Sequence, residues 1–325
     1  MPRPIALSFS GGGMLLTYHL GVASYLLRPD GRLSSRITRF AGASSGALAA
    51  AAVALLGRPG LARFVDSHAC RGEAWAGLLD VLRVASPGLG VGKRAGTGAG
   101  SAGPLAGSSL ESGAGDDAAR LRDVLFIGAT ECRTGRAALF SRFGSNEQLA
   151  RCLLASCAFP PSAHPFDLLR AANTYLEASG VAVPPSCEWV GTGGGVTTSA
   201  GGRLPWSPHG EAYVDGGLSA AAPLLPRQLQ CHTITVSPIS GPQGVRTPAS
   251  DGPCAHLHLC PLDSSLRVPL IAPALAGMRC YLSVNNLRAA GESVGASGEA
   301  LSVWYGRGVA DAERFEAGLR EGDLP

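Results

Sequence analysis

The chain has 325 residues, with 27 Lys and Arg against 24 Asp and Glu, so its formal net charge is +3. Hydrophobic residues make up 46% of it, enough for a sizeable core in one large domain or two small ones and too much for a chain that is disordered throughout. A small net charge without a block of Lys or Arg argues against a dedicated nucleic-acid binder.

The start of the chain and its cysteines indicate the compartment. No apolar stretch with a cleavage site follows Met1, so we expect no secretory signal. Nine cysteines without a C-x-x-C pair favour free thiols in a reducing compartment. The 18 uncharged residues from Phe40 to Gly57 are rich in Ala and Gly, which predicts a buried helix and not a membrane span.

Strand and helix patterns alternate at the beginning of the chain. Ile5–Phe9 is a short apolar run typical of a buried strand, and helical spacing follows from Met14 to Leu27. A second strand is predicted at Ile37–Ala41 and a second helix at Gly46–Leu56. This order predicts an α/β fold with a largely parallel sheet.

Two Gly-rich stretches interrupt the later part of the chain. Ser86–Asp116 has low complexity and is predicted to be a flexible surface insertion, and Ser186–Gly210 is a second loose stretch. The other predicted elements are strands at Val124–Thr130 and Thr233–Ser237 and helices at Glu147–Cys157 and Val309–Arg320.

Residues 42–46 match G-x-S-x-G, the pattern of a nucleophile elbow. In such an elbow the serine lies on a sharp turn between a strand and a helix, and its hydroxyl points outward at the helix N-terminus. Gly42 and Gly46 allow the backbone to make this turn, and a strand and a helix are predicted on either side. Ser44 is therefore the candidate nucleophile.

Gly11, Gly12 and Gly13 follow the first strand and precede a helix. Consecutive backbone N–H groups at such a position suit a developing oxyanion. A dinucleotide loop would need glycine where the chain has Leu16, and a phosphate-binding loop would need G-K-[ST], which is absent. The oxyanion interpretation is therefore preferred.

A serine nucleophile needs a base, and Asp215 is the leading candidate. It ends an apolar segment and precedes Gly216 and Gly217, so the chain can turn closely around another loop. The order Ser44, Asp215, His232 would also fit an α/β-hydrolase, although such folds normally place several strands before the nucleophile and only two are predicted here.

Cys254, His256, His258 and Cys260 alternate along the chain, as zinc ligands sometimes do. Residues two apart on a strand are separated by about 6.6–7 Å, too far for four of them to reach one ion at about 2.0–2.3 Å. We predict a structural strand here, with Leu257 and Leu259 facing inward, and no metal site.

These motifs together resemble the patatin-like phospholipase family. The resemblance comprises residues 7–13, the elbow around Ser44, the segments 128–135 and 155–160, and Asp215-Gly216-Gly217, and it covers about residues 5–240. Residues 18–24 and 233–241, together with Leu15, are most similar to the branch that contains adipose triglyceride lipase. The chain departs from the family at residues 219–223, where Asn and then Pro usually follow the Asp-Gly-Gly motif.

The resemblance implies a three-layer α/β/α fold with a mostly parallel central sheet. It also implies a lipid acyl hydrolase that uses a dyad of Ser44 and Asp215 without histidine, metal or cofactor, with the N–H groups of Gly11 to Gly13 binding the oxyanion. Triacylglycerol is the first expected substrate. Phospholipid, cleaved by a phospholipase A2 or lysophospholipase type of activity, is the second.

The expected organisation is a catalytic domain at residues 1–240, with both Gly-rich insertions, and a C-terminal extension at 241–325 packed on or beside it. A lipid substrate implies reversible attachment to a lipid-droplet or membrane surface in the cytoplasm, with residues 268–275 as a candidate contact and any protein regulator unknown. Two alternatives stay open. One is a catalytically silent lipid-binding scaffold, and the other is an unrelated serine hydrolase that uses His232, His256 or His258.

Overall fold

The computed structural model describes residues 2–67, 117–131, 135–158, 188–190, 213–241, 247–248, 254–262, 268–270, 280–320 and 323–324. The Gly-rich insertion predicted at 86–116 lies outside these residues, as does most of the stretch predicted to be loose at 186–210. Most of the candidate lipid contact at 268–275 also lies outside them.

Eleven strands occur within the described residues. They are β1 (Ile5–Phe9), β2 (Ile37–Ala43), β3 (Leu125–Glu131), β4 (Ala137–Phe140), β5 (Glu188–Val190), β6 (Tyr213–Asp215), β7 (His232–Val236), β8 (Thr247–Pro248), β9 (Ala255–Leu259), β10 (Val268–Leu270) and β11 (Cys280–Leu282).

Six α-helices occur in the same part of the chain. They are α1 (Leu16–Leu26), α2 (Ser45–Ser67), α3 (Asp117–Arg120), α4 (Asn146–Ser156), α5 (Val284–Gly295) and α6 (Gly298–Gly318). Helix α2 is interrupted at Gly57, whose φ of 61° is not helical, two residues before Pro59.

Nine strands form one sheet in the order β5-β4-β3-β2-β1-β7-β9-β8, and β6 pairs with β3 outside this path. The central neighbours from β3 to β9 are parallel, whereas β4 and β6 run antiparallel to β3, and β8 runs antiparallel to β9. Because helices flank this sheet, the predicted α/β fold with a mostly parallel sheet is confirmed.

Apolar side chains cover both faces of the sheet. Ile5, Leu7 and Phe9 of β1 belong to a large cluster that also contains buried residues of α1, α2, α4 and α6. Alternate residues point to the other face, where Ala6 of β1 belongs to a smaller cluster that includes Leu225.

The uncharged run from Phe40 to Gly57 is divided between the end of β2 and the first half of α2. Residues 40–53 are buried except for Leu48, which is partly buried. Ser45–Phe64 is long and apolar enough to cross a membrane by length and composition. Half of its apolar 18-residue stretch is, however, buried inside the protein. The buried part packs on the sheet, as predicted for a core helix.

Strands β2 and β6 share one edge of β3. β2 pairs along β3 as far as Ala43 with Gly128, and β6 begins at the next residue of β3, where Asp215 pairs with Ala129. The opposite edge of Ala129 is taken by β4. The two strands therefore approach each other end to end, which places the residue after β2 beside the last residue of β6.

Two segments differ from the sequence-based predictions. The C-terminal helix begins at Gly298 and not near Val309, because the side chain of Ser297 accepts the N–H of Ala300 and caps it. Glu188–Val190, within the stretch predicted to be loose, forms β5 and pairs parallel with β4.

Helix α6 packs on α1, the helix that follows the Gly11–Gly13 loop. The hydroxyl of Tyr18 donates to Asp311 Oδ2 over 3.0 Å, and Arg314 forms an ion pair with the other oxygen of this buried carboxylate. Tyr18 and Trp304 also pack edge to face, with ring centroids 6.1 Å apart. The C-terminal helix is therefore part of the core that supports the start of the chain.

The contact between these helices requires glycine at position 308. A β-carbon there would lie 2.2 Å from the carbonyl oxygen of Tyr18, whereas one on Gly306 would meet nothing within 4 Å. We expect Gly308→Ala to lower the free energy of unfolding by about 1–3 kcal/mol through overpacking. Gly306→Ala, the matched control on the same helix, should be neutral or stabilising by up to about 1 kcal/mol. Urea denaturation measures both, and equal effects would contradict this packing.

Candidate active site

Ser44 lies at the turn between β2 and α2 with a φ of 55°. The left-handed region is unfavourable for a residue with a side chain, so this conformation stores strain that the surrounding structure maintains. Its side chain stands at the N-terminus of α2, which begins at Ser45. The strand, sharp turn and helix predicted for a nucleophile elbow are all present.

Close backbone approaches explain the two glycines of the elbow. A β-carbon on Gly42 would lie 2.2 Å from the carbonyl oxygen of Gly46, and one on Gly46 would lie 2.3 Å from that of Phe9. No side chain could be accommodated at either position without moving the backbone. Both glycines thus allow β2, α2 and β1 to converge around Ser44.

Asp215 ends β6 and is 1% exposed. Its N–H donates to the carbonyl of Ala158 over 3.0 Å, and its own carbonyl accepts the hydroxyl of Thr130 over 2.7 Å. The N–H of Gly217 donates to Oδ1 over 2.7 Å. Gly216 packs on the carbonyl of Gly128, where a β-carbon would come within 2.2 Å. The motif therefore fixes the carboxylate in place.

The carboxyl group of Asp215 is poised to act near neutral pH. Burial raises its pKa from 3.8 to about 6, although the hydroxyl of Ser44 and the N–H of Gly217 both stabilise the anion. Oδ2 is buried and meets no donor at regular hydrogen-bond geometry among the described residues. The structure thus brings Ser44 and Asp215 together and leaves one carboxylate oxygen available as a proton acceptor.

Sequence reasoning missed Ser156, which positions Ser44, the candidate nucleophile. Its hydroxyl accepts the N–H of Ser44 over 2.9 Å and donates to the carbonyl of Gly128 over 2.6 Å. Ser156 thereby ties the elbow to β3, the strand that also carries β6. It lies in the segment 155–160, whose resemblance to the family was the available signal, but no local pattern gave it this role.

The Gly11–Gly13 loop lies beside Ser44, since a β-carbon on Gly11 would be 3.9 Å from Ser44 Oγ. Two of its three N–H groups are already bonded. Gly11 donates to the carbonyl of Ala221 over 3.0 Å, and Gly12 donates to Ser45 Oγ over 3.0 Å. Within the described residues, the N–H of Gly13 has no acceptor. Ser45, directly after Ser44, is the first residue of α2, so its N–H has no intrahelical acceptor either.

Residues 219–223, where the chain departs from the family pattern, pack against this loop. Ala221 accepts the N–H of Gly11, and the carbonyl of Pro223 accepts the hydroxyl of Ser8 over 2.5 Å. The segment thus connects the end of the Asp-Gly-Gly motif to the residues around the glycine loop.

The four histidines in the described residues bond elsewhere. His232 pairs with Ile5, at the opposite end of the sheet from the elbow, and its Nδ1 accepts the N–H of Ala255 over 2.9 Å. His256 Nε2 and His258 Nδ1 both contact the hydroxyl of Thr235, at 3.1 and 2.9 Å. The histidine-dependent alternative is therefore not supported for these residues, because none of them is placed as a partner for Ser44.

The fourth, His19, lies under the glycine loop. Its Nε2 is 2.8 Å from the carbonyl of Ser10, to which it donates, and burial lowers its pKa to about 4. The ring is therefore neutral, and its Nε2, the nitrogen on the side of the loop, is already hydrogen-bonded. It holds the backbone just before Gly11 and is not available as a base.

Within the alternating stretch 254–260, residues 255–259 form the predicted strand, β9. Leu257 and Leu259 of β9 are buried, while His256 and His258 are partly exposed. Within the described part of the chain, no group of three or more His, Cys, Asp or Glu residues could hold a metal ion.

A comparison with protein families matches residues 7–226 to the patatin-like phospholipase model. The chain belongs to the patatin-like phospholipase family. The resemblance drawn from the motifs is thereby confirmed, and membership supports hydrolysis of lipid acyl esters.

Two curated relatives show the level of similarity in sequence. Patatin-like phospholipase domain-containing protein 2 of Rattus norvegicus is 27% identical over 270 residues, which cover 81% of this chain and 40% of that protein. Patatin-like phospholipase domain-containing protein 4 of Homo sapiens is 28% identical over 243 residues, covering 74% of this chain and 73% of its own length. The chain thus spans well under half of the first of these relatives.

Among solved structures, VipD from Legionella pneumophila aligns with 97% of this chain and 67% of its own, at 13% identity and a TM-score of 0.37.

The buried carboxyl group predicts a pH-dependent stability. Because the pKa of Asp215 is raised to about 6 by folding, the folded chain binds this proton more tightly than the unfolded chain. The stability that protonated Asp215 contributes is fully present below about pH 4 and is lost as the pH rises through about 6. Asp215→Asn removes this titration. The free energy of unfolding of the variant, relative to that of wild type, should therefore rise by about 1–3 kcal/mol from pH 4 to pH 7.5.

Denaturant titrations at the two pH values test this expectation. Asp30→Asn is the control, because that carboxylate is 82% exposed, and its effect should be alike at both. A gain for Asp215→Asn no larger than that of the control would refute the cause assigned to the raised pKa.

Proposed function

We propose that this chain is a lipid acyl hydrolase in which Ser44 is the nucleophile and Asp215 the general base. The observation that carries the proposal is the placement of the Ser44 hydroxyl, held at a strained elbow, against a buried carboxylate whose pKa is about 6. A base with such a pKa is ionised at neutral pH yet basic enough to accept a proton during attack.

In the acylation step, Asp215 takes the proton from Ser44 Oγ as this oxygen attacks the ester carbonyl. The tetrahedral intermediate collapses, the proton passes from Asp215 to the departing alkoxide oxygen, and the acyl group stays on Ser44. Ser156 supports this step by holding the backbone of Ser44, and Gly217 by orienting the carboxylate.

The oxyanion would form between the glycine loop and the start of α2. The N–H groups of Gly13 and Ser45 are the donors that this arrangement leaves open, and the helix N-terminus adds a favourable dipole. The N–H of Gly12 donates to the hydroxyl of Ser45. It becomes a third donor to the oxyanion if this hydroxyl moves away. Gly11 contributes by shaping the loop, because its N–H is bonded to Ala221.

Deacylation repeats the chemistry with water. Asp215 removes a proton from the water that attacks the acyl carbonyl, and Ser44 Oγ recovers the proton when the fatty acid leaves. All these proton transfers use Asp215, so histidine has no part in the cycle.

Triacylglycerol is the proposed substrate and phospholipid the second candidate. Support for the first comes from residues 18–24 and 233–241, which resemble the triglyceride lipase branch. Because such lipids are insoluble, we further propose that the chain works at a lipid-droplet or membrane surface in the cytoplasm, by reversible attachment.

Ser44→Ala and Asp215→Asn should each lower hydrolysis of p-nitrophenyl butyrate by at least about 10³-fold, and combining them should add little, because the two residues act as one unit. A fluorophosphonate probe should label wild type and leave Ser44→Ala unlabelled. Ser302→Ala on α6 is the serine control and should keep wild-type activity. A folded wild type that neither reacts with the probe nor cleaves the ester would be the silent scaffold.

The pH profile tests the base separately. Because the ionised form of Asp215 accepts the proton, kcat/KM on the same ester should rise with pH and level off above an apparent pKa of about 6. Activity that stays constant down to pH 4.5 in a chain that remains folded would exclude Asp215 as the base.

A panel of emulsified triacylglycerol, diacylglycerol and phosphatidylcholine decides between the substrates. The proposal expects the highest rate of fatty-acid release from triacylglycerol, with Ser44→Ala as the blank in each case. Faster release from phosphatidylcholine would establish the phospholipase alternative.

A further inference from the structure

The last turn of α5 lies directly on the glycine loop. Gly13 has a φ of 54°, and a β-carbon on it would lie 2.1 Å from the carbonyl oxygen of Ser293. The residue that offers an open N–H in the loop is thus packed against the backbone of a helix far along the chain.

The first turn of the same helix holds a second segment near the loop. The side chain of Asn286 bonds both backbone groups of Ser240. Its Oδ1 accepts the N–H over 2.6 Å, and its Nδ2 donates to the carbonyl over 3.0 Å. We call this pair of bonds the clamp. Nδ2 of the neighbouring Asn285 donates to Ser240 Oγ over 2.7 Å. The amides of α5 thereby fix the chain that follows β7.

This clamped segment carries Pro238, whose ring packs on Gly12. A β-carbon on Gly12 would lie 3.1 Å from Cγ of the proline. Ser237 Oγ accepts the N–H of Ile239 over 3.1 Å, which stabilises the turn in between. Ser240 and Pro238 thus connect Asn286 to Gly12, so the position of Gly12 depends on that of Asn286.

Helix α5 therefore braces the loop at two neighbouring glycines. The two points of contact on the helix are seven residues apart, about 10 Å along its axis. A helix of this length is stiff, so it fixes Gly12 and Gly13 relative to each other. Side-chain amides with two backbone bonds also have little freedom to adjust.

We propose that α5 positions the oxyanion loop and that Asn286 is the positioning residue. The assignment rests on the proposed function and extends it to residues outside the segment 7–226 that matches the family. Loss of the clamp lets Pro238 withdraw from Gly12, and the donors of the loop move away from the site of the oxyanion. Displacements of about 1 Å suffice to reduce catalysis by up to about a hundredfold.

Two variants test the clamp. Asn286→Ala removes both bonds to Ser240. Asn286→Asp has nearly the same shape but sets a carboxylate oxygen against the carbonyl of Ser240, and a negative charge in the first turn of a helix favours folding. Both should lower kcat on p-nitrophenyl butyrate by about tenfold to a hundredfold with KM unchanged within about twofold.

The control is Ser297→Ala, which removes the N-cap of α6 and so destabilises the chain without touching Ser240. It should keep kcat within about twofold of wild type at a temperature where all variants are folded. A trifluoromethyl ketone, which binds Ser44 as a hemiketal oxyanion, should bind the two Asn286 variants more weakly by the same factor as kcat/KM falls.

Wild-type kcat in folded Asn286→Asp overturns the positioning role, even if Asn286→Ala fails to fold. An equal loss of kcat in Ser297→Ala overturns it as well, because the effect would then follow stability alone. If wild type itself neither hydrolyses the ester nor binds the ketone, the proposed function fails and this inference fails with it.

Discussion

The site depends on two strands that share one edge of β3. β2 uses this edge as far as Gly128, and β6 uses it from Ala129 onward, so their ends meet. Since β2 cannot continue, the chain turns away at Ser44 in a left-handed conformation, and Asp215 arrives from the other direction. Backbone hydrogen bonds to one common strand thus set the distance between Ser44 and Asp215, the proposed nucleophile and base. Ser156 adds a side-chain bond to Gly128 of the same strand, and Thr130, which lies on that strand, donates to the carbonyl of Asp215.

This arrangement has an energetic consequence for the carboxyl group. A position beside Ser44 is necessarily buried, and burial raises the pKa of Asp215 while only one of its oxygens accepts a regular hydrogen bond. A buried carboxylate oxygen without a regular hydrogen bond is destabilising but reactive. The N–H of Gly217 offsets part of this cost, because it donates to the other oxygen and stabilises the anion.

The rear of the site is built from the last third of the chain. α6 packs on α1 through Gly308 and Asp311, and α5 lies on the glycine loop through Ser293 and the clamped Ser240. Residues beyond the family match therefore belong to the same core as the elbow. They support a loop that has few side chains of its own to anchor it.

The sequence by itself determined the features that depend on local backbone chemistry. The elbow around Ser44, the loop at Gly11–Gly13 and the Asp215 motif are recognisable because glycines are needed wherever backbones pass closely, and the alternation of strands and helices predicted the α/β fold. Only the tertiary structure decided which groups face these motifs. It showed that His232 lies away from the site and that the N–H groups of Gly11 and Gly12 are bonded. It also revealed the contacts of Ser156, Ser45 and Asn286, whose partners lie 112, 33 and 46 residues away. It also extended α6 through Gly308, because the close approach of Tyr18 outweighs the low helix propensity of this glycine. Contacts between distant segments leave no periodic pattern in the chain, so they can be identified only once the fold has brought the segments together.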